Sequence, residues 1–175
     1  MLKNCKLFIF TNPVLILLSL SMVSCVPVIS KHVVDQVKPN VTFKEVLHDP
    51  ERFKDQIILV SGVIVESKNT QQGTLLTVSQ RPMGFRGKPK DVDESDGRFL
   101  ALDSRYLEVE IFTQGRSVTI AGEVVGKKVQ PLGEIEYTYP FVHIKEIYLW
   151  PVEKKYNTYP YYYDHLWWQG YYLYY

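Results

Sequence analysis

The sequence predicts a mainly β protein: a small OB-like β-barrel of five to six strands, with one short N-terminal helix and an irregular aromatic C-terminal tail. Several runs of β-branched residues are bounded by polar turn residues, which is the pattern of strands. Two similar segments, Val60–Ile64 and Ile120–Val124, each place a glycine among apolar residues, which favours a coiled barrel over a flat sandwich. The chain has 175 residues, 46% of them apolar and 22% charged, enough for one compact domain and short for two.

The helix is predicted just before the first strand. Thr42 followed three residues later by Glu45 is the pattern of a capping box, and Pro50 marks the end of the helix. Three apolar residues at the spacing i, i+3, i+4 share one face: Phe43, Val46 and Leu47.

The strands are predicted from the β-branched runs that follow. They cover residues 56–66, 74–79, 98–102, 117–126 and 141–150, and residues 107–112 are a candidate sixth strand. The first two runs flank a short polar turn and are expected to form a hairpin, and Gly62 suggests a bulge or bend. Residues 81–97 hold two prolines, three glycines and many charges, which indicates a long exposed loop.

The N-terminus has the layout of a secretory signal peptide over residues 1–24. Lys3 and Lys6 precede an apolar run from Leu7 to Leu20, which is short for a membrane span, although a retained anchor is an alternative. The segment Met22–Cys25 resembles a bacterial lipobox. This resemblance implies cleavage between Ser24 and Cys25, a diacylglycerol on the Cys25 thiol and an N-acyl group on its amine. The alternative is an ordinary cleavage site.

Lipidation would place the protein on a membrane and leave it without a free thiol. Cys5 leaves with the signal peptide and Cys25 is consumed, so thiol catalysis and disulfides are both excluded by this interpretation. Val26 follows the cysteine in place of the Asp that retains enteric lipoproteins in the inner membrane, which implies sorting to the outer membrane. Residues 25–41 are expected to form an extended tether.

The tail is the strongest compositional anomaly. The last twenty residues contain nine of the 13 tyrosines and two tryptophans. Amphipathic aromatic side chains favour interfaces, so the tail is a candidate interface or ligand surface, unless it covers the barrel itself. The candidate residues are Tyr161, Tyr162, Trp167, Trp168, Tyr171 and Tyr172.

Catalytic, metal and nucleic-acid sites find little support. Twenty Lys and Arg against 19 Asp and Glu give a net charge of +1, which disfavours nucleic acid as a partner. The four histidines lack zinc-site spacing, and no hydrolase, Walker or dinucleotide motif occurs. The acidic run at 91–97 fails as a calcium loop, because Asp96 stands where glycine is needed and Leu102 where the bidentate Glu belongs. We therefore expect no enzyme, no metal and no cofactor.

Several segments, taken in their order along the chain, resemble the Slp (starvation lipoprotein) family. They are the lipobox, the Gly62 strand, residues 97–101, residues 115–126, the Tyr137–Pro140 step, residues 147–150 and the aromatic tail. The resemblance implies a Gram-negative outer-membrane lipoprotein associated with starvation or stationary-phase stress, without enzymatic activity. Only Cys25 carries over as a functional residue; Met22 and the number of consecutive tyrosines depart from the family pattern.

Together these observations predict four segments: signal peptide 1–24, lipidated tether 25–41, barrel 42–155 and aromatic tail 156–175. The predicted protein is anchored to the outer membrane through lipid on Cys25, facing the periplasm, with an envelope-stabilising or stress-associated role. Other envelope proteins or peptidoglycan are the expected partners. The alternatives are a module that binds an envelope glycan or peptide, and an envelope enzyme.

Overall fold

The computed structural model describes residues 27–152. Two short α-helices, α1 (Lys31–Val34) and α2 (Phe43–His48), and a 3₁₀ helix at Pro50–Phe53 precede the sheet. The strands are β1 (Ile57–Thr70), β2 (Gly73–Gln80), β3 (Arg98–Asp103), β4 (Ser117–Leu132) and β5 (Ile135–Leu149). A second 3₁₀ turn lies at Phe85–Gly87 in the long loop before β3. The mainly β prediction is confirmed.

Each strand pairs with two others, so the sheet closes into a barrel of order β1-β2-β3-β5-β4. All pairs are antiparallel except β3 with β5, where Leu100 lies opposite Phe141. The described residues contain five strands, and the candidate sixth strand at 107–112 is wrong. The amides of Ile111 and Phe112 both donate to the Glu108 carbonyl, which makes this segment a turn.

The strands extend further than the sequence pattern indicated. β1 continues through the predicted turn residues to Thr70, and Gln71 and Gln72 alone connect it to β2. β4 and β5 each run beyond the predicted ends at 126 and 141, because residues 126–132 pair with 135–141 in a two-stranded extension. We call this extension the hairpin arm.

Gly62 is required for a close approach and not for the bulge. The register between β1 and β2 shifts between Ile64 and Glu66. A Cβ atom at Gly62 would lie 2.3 Å from the Ser79 carbonyl oxygen, so only glycine allows β1 and β2 to approach this closely here.

The N-terminal region packs on the barrel. The capping box predicted for α2 is present: the Thr42 hydroxyl accepts a hydrogen bond from the Glu45 amide. The Thr42 amide and hydroxyl both donate to the Glu45 carboxylate, and these bonds lower the pKa of Glu45. Residues 27–41 differ from the extended tether expected. They contain α1, Ile29 is 2% exposed, and Val37 forms a parallel bridge with Ile57.

The hydrophobic core fills the interior of the barrel and continues to the end that α2 covers. Side chains from all five strands meet inside, and α2 covers them with Phe43 and Val46. The ring centroids of Phe43 and Phe99 are 5.5 Å apart. Burial of each large apolar side chain contributes about 1.5–3 kcal/mol, so this interior supplies most of the stability.

No helix within residues 27–152 is both long and apolar enough to cross a bilayer. The predicted signal peptide, its cleavage site at Ser24 and Cys25, and the candidate tail surface lie outside the described residues.

Candidate functional site

A second apolar cluster lies on the outer face of the barrel. Alternation along β3 sends Phe99 and Ala101 into the interior and Leu100 and Leu102 to the opposite face. There Leu100 and Leu102 meet aromatic side chains of β5, which include Phe141. The hairpin arm explains why these outward residues are nevertheless buried, since it carries β4 and β5 past the edge of the barrel.

An open groove of about 660 Å³ adjoins this outer cluster. Its lining residues come from the β1–β2 turn, the end of β3, and strands β4 and β5: Gln72, Leu102, Ser104, Lys128, Phe141, His143, Ile144 and Lys145. A neighbouring shallow region shares Gln72, Leu102 and Lys128 and adds Leu75. We refer to these residues together as the outer groove.

Lys128 places a positive charge directly over an aromatic ring of the outer groove. Its ammonium nitrogen lies 3.7 Å from the centroid of the Phe141 ring, a cation–π contact that fixes the charge above an apolar floor. The His143 ring packs edge-on against the same phenyl ring at 5.5 Å. Lys145 is held by Glu123, with a nitrogen to oxygen distance of 2.6 Å. The groove thus combines apolar surface with fixed positive charge, an arrangement suited to an anionic ligand with a flat apolar part.

One buried carboxylate lies at the end of β3, close to the outer groove in sequence. Asp103 is 2% exposed and accepts three hydrogen bonds from Arg105, two from the guanidinium group and one from the backbone amide. Burial raises the pKa of Asp103, but the hydrogen bonds and charge of Arg105 outweigh it and the net pKa is lowered. The carboxylate is therefore ionised and engaged in holding the chain after β3.

Metal-ligating residues do not converge in the part of the chain that the structure covers. No group of three or more His, Cys, Asp or Glu side chains there could hold a metal ion. His32, His48 and His143 lie on α1, α2 and β5, and His165 falls outside the described residues.

The sequence-predicted site residues, Ser24, Cys25 and the six aromatic residues of the tail, all lie outside the described residues 27–152. The groove was missed because β4 was predicted to end at residue 126, which left Lys128 outside the sheet. The signal that could have found it is the alternation of Tyr137, Tyr139 and Phe141, which places three aromatic side chains on one face of a strand.

The comparison with protein families is decisive for classification. A model described as the outer membrane lipoprotein Slp family matches residues 22–175. The chain belongs to this family. The Slp resemblance inferred from the sequence is therefore confirmed.

Two curated proteins are similar to this Slp family member. One is the outer membrane protein Slp of Escherichia coli, 26% identical over 117 residues that cover 67% of this chain and 62% of the relative. The other is an uncharacterized protein of Haemophilus influenzae, 27% identical over 101 residues that cover 57% of this chain and 55% of the relative. The matches thus span less than two thirds of either relative. Neither these names nor the family description names an enzyme.

Solved structures give only distant likenesses. The mitochondrial single-stranded DNA binding protein Rim1 of S. cerevisiae aligns with a TM-score of 0.36 and 15% identity, over 58% of this chain and 99% of Rim1. A single-stranded DNA-binding protein from Streptomyces coelicolor gives a TM-score of 0.34 and 13% identity, over 54% of this chain and 94% of that protein. At these scores the likeness says nothing about the ligands of the Slp family chain.

Proposed function

We propose that this protein is anchored to the periplasmic face of the outer membrane through acyl chains on Cys25 and acts there without catalysis, as an envelope-stabilising or stress-associated barrel. The observation that carries the proposal is the extent of the family match. It begins at residue 22 and so includes Met22–Cys25, the lipobox-like segment, together with the barrel and the tail.

The anchor is physically sufficient for permanent attachment. Each buried methylene contributes about 0.8 kcal/mol, so a diacylglycerol plus an N-linked acyl chain holds far more strongly than one chain, which alone binds reversibly. Ile29, four residues after Cys25 in sequence, is buried on the barrel. The acyl chains would therefore emerge beside the folded domain and not at the end of a long tether.

A non-catalytic role agrees with the polar groups of the described residues. Asp103 is the buried carboxylate there, and Arg105 neutralises it. The strand order of the closed sheet, with β3 parallel to β5, supports an OB-like assignment for the barrel, a scaffold that serves binding on its outer face. The aromatic tail would add a docking surface for membrane or envelope partners.

Intact-mass analysis of membrane-fraction protein tests the anchor. We expect a mass equal to residues 25–175 plus the triacyl modification. Cys25→Ala should lose the modification and accumulate as uncut precursor, whereas Cys5→Ala is the matched control and should leave the mature mass unchanged. An unmodified chain, or a modified Cys25→Ala variant, would overturn the proposal.

A second function, binding of an anionic envelope glycan or peptide, is favoured by one observation, the placement of Lys128. The ammonium group over Phe141 presents a fixed positive charge at the edge of an apolar surface. A ligand with a carboxylate and a flat apolar face would match both features. Peptidoglycan fragments, which carry sugar rings and carboxylates, are the proposed ligand class.

Titration of the lipoprotein with a peptidoglycan fragment tests this second function. We expect saturable binding that weakens severalfold in Lys128→Ala. Lys127→Ala is the matched control, because the neighbouring lysine is exposed and points to the opposite face of β4. Equal affinity of the two variants, or non-saturable binding, would exclude the groove as the site. A stem peptide without sugar that binds equally well would identify the ligand as peptide.

A further inference from the structure

The loop at residues 82–90, which we call the 82–90 loop, is an ordered projection from the barrel. The Gly84 amide donates to the Lys88 carbonyl at 2.6 Å, the Lys90 amide donates to the Pro82 carbonyl at 2.9 Å, and Met83 bridges Pro89. A partly buried hydrogen bond of 2.7 Å from the Thr119 hydroxyl to the Gly87 carbonyl fixes the loop to β4.

The tip of this ordered loop exposes a phenyl ring. Phe85 is 78% exposed, the largest exposed fraction among the large hydrophobic side chains of residues 27–152, and Met83 beside it is 37% exposed. The backbone of Arg86 is in the left-handed region, with φ of 57°, so the turn that presents the ring is tight. Phe85 and Met83 together expose apolar surface on a hydrogen-bonded loop, which is what a contact with lipid or protein requires.

The 82–90 loop lies where the lipid-bearing end of the chain meets the barrel. A Cβ atom at Gly87 would lie 3.8 Å from a methyl group of Val28, so the two segments are neighbours. The bonds of Ser30 to the Glu146 carboxylate, at 2.7 and 3.0 Å, hold this start of the chain in place. Three residues of extended chain span about 10 Å, which limits the distance from Val28 to Cys25.

The charge of the surrounding loop is divided in two. Residues 81–90 contain four Lys or Arg and no acid, whereas residues 91–96 contain four acids and no Lys or Arg. Among the cations, Lys88 also lies 5.8 Å from the Trp150 ring, and Arg81 donates to the Glu94 carbonyl. Basic residues beside an exposed aromatic ring suit the headgroup region of an anionic leaflet, which attracts cations near its surface.

We infer that the 82–90 loop docks on the same phospholipid leaflet that holds the acyl chains of Cys25, with Phe85 inserted among the headgroups. The inference rests on the lipid anchor proposed above and adds a second point of contact. Two contacts define an orientation where a lipid anchor alone would leave the barrel free to rotate about its attachment.

A depth measurement in vesicles tests the inference. The lipidated protein is reconstituted in phosphatidylethanolamine–phosphatidylglycerol vesicles with a bimane fluorophore at Phe85→Cys. This thiol is unique once residues 1–24, which include Cys5, have been removed and Cys25 is acylated. Ile135→Cys is the matched control, because Ile135 is a 61% exposed apolar residue at the tip of the hairpin arm. The 82–90 loop is bonded to Thr119 near the start of β4, whereas Ile135 follows the end of that strand. We expect spin-labelled lipid to quench the fluorophore at position 85 severalfold more than at position 135, with a blue-shifted emission.

Equal quenching at the two positions would overturn the docking inference. A blue shift at position 85 that depends on protein concentration and resists lipid quenchers would assign the loop to a second copy of the chain or another protein, and would overturn it too. Replacement of phosphatidylglycerol by phosphatidylcholine should reduce the quenching at position 85. Intact mass of the same samples separates the two proposals: an acylated protein without quenching refutes the docking alone, and a non-acylated protein refutes the anchor.

Discussion

The hydroxyl group of Thr119 joins three parts of the molecule, and its removal gives the sharpest test of the packing described above. It accepts a hydrogen bond of 2.9 Å from the Trp150 indole nitrogen and donates one of 2.7 Å to the Gly87 carbonyl. Thr119 itself is fully buried, so water has no ready access to replace it. Thr119→Val keeps the shape of the side chain and removes both bonds.

The expected loss follows from the two partners left behind. Each hydrogen bond has a net value of about 1 kcal/mol, and a buried donor or acceptor without a partner costs about 1–3 kcal/mol. Because Trp150 is only half-buried and recovers part of its bond from water, we expect Thr119→Val to lower the free energy of unfolding by about 2–4 kcal/mol. Thr119→Ser keeps the hydroxyl and should lose less.

Urea denaturation of the lipoprotein in detergent micelles, followed by far-ultraviolet circular dichroism, measures the loss. Thr77→Val is the matched control, a half-buried threonine of β2, which does not pair with β4. Hydrogen exchange of the 82–90 loop amides should accelerate in Thr119→Val and not in the control. The reasoning fails if Thr119→Val is as stable as the control, or if the serine variant is the less stable of the two.

Three further changes test other contacts of the fold. Gly62→Ala should destabilise the barrel by about 1–3 kcal/mol in the same denaturation assay, because its Cβ would meet the Ser79 carbonyl oxygen; a neutral result would show that β1 and β2 can separate freely. Asp103→Asn should lower the free energy of unfolding by only about 1–2 kcal/mol at neutral pH, because the partner Arg105 is largely exposed and water screens the ion pair. The Asp103 pKa is lowered on folding, so this difference is present above the unfolded pKa of about 3.9 and should vanish as the pH falls through the folded pKa; a pH-independent difference would contradict the ion pair. Glu146→Ala should release the segment before α1, seen as faster hydrogen exchange there with little change in global stability; unchanged exchange would mean that other contacts hold it.

Local signals in the sequence were sufficient for part of the fold. The capping box at Thr42 and Glu45 and the β-branched runs of β1 and β4 depend on neighbours within a few residues, so their pattern is visible in the chain itself. The family resemblance was also readable, because it depended on the order of several such segments.

Long-range pairings were not readable in the same way. Phe141 lies opposite Leu100 only because the barrel closes, and no local pattern specifies that partner. The hairpin arm was missed because residues 127–131 are mostly exposed, and this part of β4 is identified by its pairing with β5 more than by burial. The outer groove was missed with it, since Lys128 and Phe141 become neighbours only across that pairing.

The parallel pairing of β3 with β5 has a consequence for how the chain reaches its native state. Among residues 27–152, β5 is the last strand, and both β3 and β4 bond to it. Until β5 has emerged from the ribosome or from a membrane channel, the sheet stays open and β3 presents an unpaired edge. Since pairings between distant segments form slowly, we expect nascent chains that end before residue 135 to lack protease resistance and to need protection against association.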